Sequence, residues 1–505
     1  MSATDNKLAE PRALKLHPDD DVLVLLSPLE QGDEVDGVRA AQAIPQGHKL
    51  AVRDIAAGDK VHKFGQVIGT ATRPIARGEQ VHDHNLTVGS FERVVDRVPP
   101  PNDLPSATGA TFKGFVRADG RVGTRNFIGV LTSVNCSATV ARRIADSFAD
   151  QRFGSVDGVA AFTHSSGCGM SGTGEGIDTL ERTLAGYATH PNFGGILLIG
   201  LGCEVAQIGT LLDRFGLAPG PRLRTMTIQE AGGTAKAIDR GRQLVRELIE
   251  EAQADTRVDV SASHLTLGLQ CGGSDSWSGV TANPALGVAA DLLIADGGTA
   301  ILSETPEISG AENLLLRRAV SQDVAEKLLQ RLAWWDDYAA KNGAQLNNNP
   351  SPGNKAGGLT TIYEKSLGAI AKAGRSPLVD VALYAERVRA KGLVFMDSPG
   401  FDPCSATGQI ASGANILAFT TGRGSVFGSK PTPCIKLASN AALAANMDDD
   451  MDVDCSPILD GASIEEAGRQ IYERLLDLAS GQQSKSEALG FGDSEFVPWN
   501  IGAWM

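Results

Sequence analysis

Apolar and polar positions along the chain follow two different patterns, and the change falls near Thr111. From Ala13 the chain reads as short alternating β segments at 22–27, 48–55, 60–71 and 80–88. Turn signals separate them at Gln46-Gly47, Ala57-Gly58 and Arg77-Gly78. No helical period intervenes, so 13–90 is expected to be a small all-β module. The first dozen residues are polar and read as frayed. Residues 91–110 carry Val98-Pro99-Pro100-Pro101-Asn102-Asp103-Leu104-Pro105, which predicts a stiff spacer and a domain boundary.

Beyond Thr111 apolar strands alternate with amphipathic helices, the pattern of α/β layers. Strands are predicted at 127–132, 158–164, 195–200, 222–228, 264–270, 299–304, 392–397, 416–421 and 434–438. Helices are predicted at 137–149, 175–187, 234–254, 284–295, 312–341 and 463–480. The last opens on the capping box Ser463-Ile464-Glu465-Glu466. A polar stretch at 252–263 divides this part into two α/β subdomains, 111–255 and 256–505. Residues 347–358 are too rich in Asn, Pro and Gly for a regular element, and a long ordered loop there is expected to be functional. The acidic run 448–454 reads as a solvated turn, with metal binding a poor second. No internal repeat is visible.

Composition narrows the function. A chain of 505 residues accommodates about three domains, and 42% apolar with 21% charged residues describes an ordinary globular protein. The net charge of −14 argues against a nucleic-acid partner, though not against a small anion. No apolar run reaches the ~20 residues of a membrane span. Seven cysteines, an odd number, and the absence of a signal peptide point to a reduced, cytoplasmic protein.

Chemistry gathers at strand ends. Ser165-Ser166-Gly167-Cys168-Gly169, Leu201-Gly202-Cys203-Glu204, Cys271-Gly272-Gly273-Ser274-Asp275, Ser303-Glu304-Thr305, Ser398-Pro399-Gly400 and Gly422-Arg423-Gly424-Ser425 each follow a predicted strand. If the strands are parallel, six such loops share one edge and line one cleft. Gly167-Cys168-Gly169-Met170-Ser171-Gly172 also spells a dinucleotide fingerprint. The acidic residue it needs about 20 positions on is missing, Glu204 lying too far along. No Walker A pattern is present, so no nucleotide is expected.

Histidines cluster early, at His48, His62, His82 and His84, where imidazoles with Asp83 suit a divalent ion or simply face solvent. Cys136, Cys168, Cys203 and Cys271 each stand at a strand end. Two readings compete for them: soft ligands for iron or an iron–sulfur cluster, or a nucleophile, against small packing residues. No C-x-x-C spacing supports a cluster. Arg125, Lys355 and Arg423 lie in Gly- or Asn-rich loops, which favours an anionic substrate.

Several motifs together resemble the altronate/galactarate dehydratase family. They are Gly114-Phe115-Val116-Arg117 with Gly120-Arg121-Val122-Gly123-Thr124-Arg125-Asn126, then Ile199-Gly200-Leu201-Gly202-Cys203-Glu204 and Cys271-Gly272-Gly273-Ser274-Asp275. Thr281-Ala282-Asn283-Pro284, Asn349-Pro350-Ser351-Pro352-Gly353-Asn354-Lys355 and Thr420-Thr421-Gly422-Arg423-Gly424 complete the set. The N-terminal module, with Ile44-Pro45-Gln46-Gly47-His48-Lys49, resembles the small SAF-type (β-clip-like) domain of those enzymes.

The resemblance implies a metal-dependent hydro-lyase that removes the α-proton of a sugar acid and expels the β-hydroxyl. Iron(II) is the expected metal, with manganese(II) or magnesium as substitutes. It implies His48, Lys49, Asp275 and Glu304 for catalysis and Arg125, Asn126, Ser274, Asn354, Lys355 and Arg423 for the substrate. His48, His82, His84, His164, Cys168 and Glu204 are the candidate metal ligands. His82-Asp83-His84-Asn85 and Ser303-Glu304-Thr305-Pro306-Glu307 are more similar to the altronate branch than to the galactarate branch. A sulfolactate carbon–sulfur lyase is a further alternative, disfavoured because there the two modules resemble separate chains. A homo-oligomer, and a β module closing over its own chain or a neighbour's, stay open. A sugar-acid sensor would need an effector segment, and a dehydrogenase a nicotinamide site; neither is visible.

Overall fold

The computed structural model describes residues 12–89, 91–149 and 151–502. The expectation of a frayed start falls outside these residues, apart from Arg12. The N-terminal module is all β. Ala13–Leu14, Val22–Leu25, Lys49–Ala51 and Gln80–Val81 form an antiparallel sheet, and the hairpin Lys60–Lys63/Gln66–Ala71 pairs with Leu86–Thr87.

Residues 91–110 hold no regular element among those described, but they are not a free tether. Arg93 pairs with Glu312 and Asp336, the Val98 N–H donates to Arg317 O, and Arg375 grips Asp103. The segment is strapped along the C-terminal domain.

Two parallel sheets follow. In the first, β1 (Phe127–Thr132), β2 (Gly158–Phe162), β3 (Phe193–Gly200) and β4 (Leu223–Thr227) lie in the order β2-β1-β3-β4. In the second, β5 (Thr266–Cys271), β6 (Thr299–Leu302), β7 (Leu378–Ala382), β8 (Gly392–Met396), β9 (Ile416–Thr421), β10 (Cys434–Ala438) and β11 (Val453–Asp454) lie in the order β7-β8-β6-β5-β9-β10-β11. β1, β3, β8, β9 and β10 are buried along their whole length, because helices cover both faces. That is why their sequences are continuous apolar runs instead of alternating ones.

The strand order reverses at β1 in the first sheet and at β5 in the second. Such switch points open a crevice at the carboxyl ends of the strands. The six strand-end loops therefore do not share one edge: two belong to the first sheet and four to the second.

Three predicted elements differ. The expected helix 312–341 is split into Glu312–Leu316 and Gln322–Lys341. Ala319 bridges to Leu378 between them, and the Ser321 hydroxyl caps the second helix by accepting from the Val324 N–H. The polar stretch at 252–263 contains the strand Arg257–Ser261, which pairs with Thr111–Val116. Within 347–358 a short helix, Pro352–Ala356, is closed by a Ser351/Asn354 capping box. No helix among the described residues is long and apolar enough to cross a membrane.

Candidate active site

The switch point beside β5 gathers the polar groups. Cys271 ends β5, Glu304 follows β6, and Asp402 begins the helix Asp402–Ala411 after β8. Gly272 permits this convergence, since a Cβ there would stand 2.2 Å from Asp402 Oδ2. The helix Ile362–Ala371 adds Lys365, with Lys372 at its C-cap.

These residues form a buried polar cluster. Lys365 Nζ donates to Glu307 Oε1 at 2.7 Å and to Asn349 Oδ1 at 2.9 Å. Asn349 Nδ2 reaches the same Glu307 oxygen at 2.7 Å. Cys271 Sγ lies 4.0 Å from Glu307 Oε2, and Lys372 Nζ lies 3.8 Å from Glu304 Oε2. Neither carboxylate oxygen of Glu304 has a hydrogen-bond partner, although the residue is 1% exposed. Its backbone is left-handed, with φ of 74°, a conformation that surrounding structure must hold in place.

An unpartnered buried carboxylate is costly. Burial, then the Glu307 charge, raises the Glu304 carboxyl well above its ordinary range. Burial and Glu307 also bring Asp402 up to about 6. Burial pushes the Cys271 thiol up to about 11. Burial opposes charge on both lysines, yet the acidic groups prevail: Glu307 raises Lys365, and Cys271 with Glu304 raises Lys372.

Cys271, Glu304 and Glu307 each offer one ligand atom, and these lie within 4.8 Å of one another. With the orphaned Glu304 oxygens, this donor set fits a divalent cation.

Past the ends of β5 and β9, a cleft of 540 Å³ is lined by Asp275, Trp277, Gly357, Arg423 and Asn440, with Gln46 from the β module. Arg423 is exposed at this wall, and its backbone N–H donates to Gly273 O at 2.8 Å. Ser274 is buried, and its carbonyl accepts from Asn354 Nδ2 at 2.8 Å. Asn354 thus ties the 345–358 loop to the end of β5.

The β module docks beside that loop. Glu364 is fully buried and accepts from Lys49 Nζ at 2.9 Å, Lys63 Nζ at 2.8 Å and the Thr360 N–H at 2.9 Å. Burial alone would raise the Glu364 carboxyl, but the two lysines outweigh it and bring it down to about 2. Burial lowers Lys49 to about 8. His48 Nδ1 meets Gln80 at 2.8 Å and Nε2 meets Ala356 O at 3.4 Å. The His48 and His82 rings are edge to face, 4.8 Å apart. Burial, then the Lys49 charge, lowers both imidazoles, His82 to about 4. Lys355 pairs with Asp83 at 3.3 Å across the same seam.

Several sequence-predicted site residues have their polar atoms engaged by the protein itself. The Lys49 ammonium is held by Glu364 and Gly358 O, across the seam between the β module and the C-terminal domain. Arg125 and Asn126 precede β1, at the opposite edge from the strand-end loops. The Arg125 guanidinium binds Glu487, Leu478 O and Gln482 O, and Asn126 binds Asp157, Ser155 and Ala252. Asp275 accepts from the Trp277 and Ser278 N–H groups, the Ser278 and Ser439 hydroxyls and Asn440 Nδ2. Its carboxylate organises the loop.

The six candidate metal ligands are not brought together. His48 and His82 face the C-terminal domain, and His84 is exposed. His164, Cys168 and Glu204 stand on the first sheet. The His164 nitrogens are engaged by Ser166 Oγ and Thr132 O, and Glu204 by Ser133 Oγ and the Gly202 N–H.

The sequence reading passed over Glu307, Lys365, Lys372 and Asp402 for these roles. One signal was readable: Lys365 and Lys372 stand two turns apart along an otherwise apolar stretch, so they share a face.

Three family models cover the chain in order. The SAF domain of altronate/galactarate dehydratases matches 11–89, the D-galactarate dehydratase/altronate hydrolase second domain matches 114–253, and the D-galactarate/altronate dehydratase C-terminal domain matches 262–504. The chain belongs to the galactarate/altronate dehydratase family. Among relatives, galactarate dehydratase (L-threo-forming) of Escherichia coli is 37% identical over 93% of both chains. Altronate dehydratase of Escherichia coli is 36% identical over 95% of this chain and 97% of its own. The (2R)-sulfolactate sulfo-lyase subunit beta of Chromohalobacter salexigens is 35% identical over 77% of this chain and 97% of its own. Family dehydratases are hydro-lyases, and the chain is an enzyme of that class.

Proposed function

We propose that the enzyme dehydrates a six-carbon aldonate of the altronate type to a 2-keto-3-deoxy acid, at the polar cluster on the carboxyl ends of β5, β6 and β8. The observation that carries this is the buried Glu304 carboxylate, unpartnered and flanked by Glu307, Asp402, Lys365 and Lys372. An α-proton of a carboxylate is barely acidic. Its removal needs a base at the carbon and positive charge where the electrons collect.

Asp402, held near 6, is mostly ionised at neutral pH and suits the base. It takes the α-proton and can return it to the β-hydroxyl, which leaves as water. Lys365 and Lys372 meet the substrate carboxylate as its charge grows. Glu304, Glu307 and Cys271 would hold a divalent metal, iron(II) by expectation, which would supply further positive charge to the intermediate.

Galactarate is the second reading. The galactarate and altronate dehydratases stand at 37% and 36% identity, so similarity does not separate them. Arg423, exposed in the neighbouring cleft, would receive a second carboxylate. The test is a panel of aldonates and aldarates with iron(II), manganese(II) or magnesium, reading keto-deoxy acid. Turnover of altronate with Asp402→Asn down at least ~100-fold supports the reading. No product from any sugar acid would refute it.

A further inference from the structure

The first sheet has a switch point of its own, and nothing in the dehydratase reading uses it. Cys136, Cys168 and Cys203 follow β1, β2 and β3 respectively, and β1 lies between the other two. Adjacent strands run ~4.8 Å apart, so three consecutive strand ends each deliver one thiol to the same rim. All three cysteines are exposed and none is in a disulfide, whereas the other four are buried.

The loops that carry them are braced against each other. The Asn135 N–H donates to Ser166 O at 3.0 Å, and its side chain donates to His164 O at 3.2 Å. The Ala206 N–H donates to Gly167 O at 3.0 Å, and Ser133 Oγ donates to Glu204 Oε1 at 2.7 Å. Gly167 has φ of +96°, and a Cβ there would stand 2.3 Å from Ser133 O. The cysteine loops thus abut at full contact. His164 and Glu204, which resemble ligands in the sequence, hold the loops in place.

Strand order and donor type select the ligand. Among the described residues one group of three donors falls within 4.8 Å, and it is the Cys271 group. The three rim thiols are not such a group. A multi-iron cluster draws each thiolate to a different iron, so its ligands are spread apart. Thiolates are also the soft ligands that such clusters take. Short C-x-x-C spacing is unnecessary here, because the sheet supplies the adjacency.

We propose that Cys136, Cys168 and Cys203 bind a [4Fe–4S] cluster at the carboxyl edge of the first sheet. Three thiolates ligate three irons, each thiol releasing its proton. The fourth iron has no cysteine and is open to water or to an oxygen atom of a small molecule. The assignment stands apart from the dehydratase reading and is tested without measuring turnover.

The full chain is purified without oxygen and reconstituted with iron(III), sulfide and a thiol reductant, which supplies the two electrons that bring four ferric ions to the [4Fe–4S]2+ state. Expected are about four irons and four sulfides per chain, broad visible absorption, and an electron paramagnetic resonance signal on reduction. Cys136→Ser, Cys168→Ser and Cys203→Ser should each lose most of the iron and the absorption, while Cys434→Ala keeps them. Alkylation read by mass spectrometry gives a measure on the unmutated chain: the three thiols should be protected when the cluster is present and react once it is removed. Full cluster content in the triple serine variant would overturn the proposal. So would equal alkylation in both states, or uptake of metal in a 1:1 ratio with no sulfide.

Discussion

Glu364→Gln tests whether a buried charge cluster fastens the β module over the active domain. Glu364 is 1% exposed, Lys49 0% and Lys63 1%. The glutamine keeps the size and one acceptor for the Thr360 N–H but removes the negative charge. Two buried ammonium groups then share neutral acceptors only. The magnitude follows from the carboxyl itself, which falls from 4.5 to about 2 on folding. At 1.36 kcal/mol per unit this corresponds to about 3 kcal/mol. Burial lowers Lys49 at the same time, so the carboxyl's shift is not the net value; removing one member of a buried pair costs ~3–5 kcal/mol.

Urea denaturation should therefore show a loss of about 3–5 kcal/mol. Limited proteolysis should cut sooner within 91–110, as the strapped segment is released. The pH dependence has a definite sign. The folded-state value is depressed, so the stabilisation is complete above 4.5 and is lost as pH falls towards 2. The stability gap between wild type and variant should narrow across that window. A variant within ~1 kcal/mol of wild type, with the same proteolysis pattern, would show that the cluster does not fasten the module.

Four other outcomes are expected. In Asp402→Asn, turnover should fall at least ~100-fold, and the acidic limb of the wild-type rate profile should lie near 6; a wild-type profile flat through that value would remove Asp402 as the base. Asp275→Ala should lower stability by ~2–4 kcal/mol along with turnover, since five donors lose their acceptor; inactivity in a fully stable Asp275→Ala protein would return the residue to a direct role on substrate. Glu304→Gln should weaken manganese(II) binding in calorimetry at least tenfold, and unchanged affinity would place the ion elsewhere. Arg423→Ala should raise KM for galactarate while leaving altronate unaffected, and equal effects on both would remove the second-carboxylate reading.

Local pattern accounts for much of the architecture. The runs that became β1, β3, β8 and β9 were legible because strands buried on both faces are continuously apolar. The all-β start was legible from alternation and turns. Helix continuity through 312–341 was not, because the break at Ala319 depends on pairing with Leu378, a residue distant in sequence. The strand Arg257–Ser261 was missed for a similar reason: it is a half-exposed partner of Thr111–Val116, without an apolar run of its own.

By itself the sequence determined the family, the layered α/β class and the strand-end loops, since these rest on local composition and ordered motifs. Only the tertiary structure decided which polar residues work together. Arg125 and Lys49 looked available as isolated cations, and folding placed a carboxylate against each. Glu304 was left without a hydrogen bond, with Lys372 Nζ 3.8 Å from its carboxylate. Likewise, three cysteines without motif spacing came to follow adjacent strands only when β1, β2 and β3 paired side by side. Adjacency across a sheet is set by strand order, which local sequence does not encode.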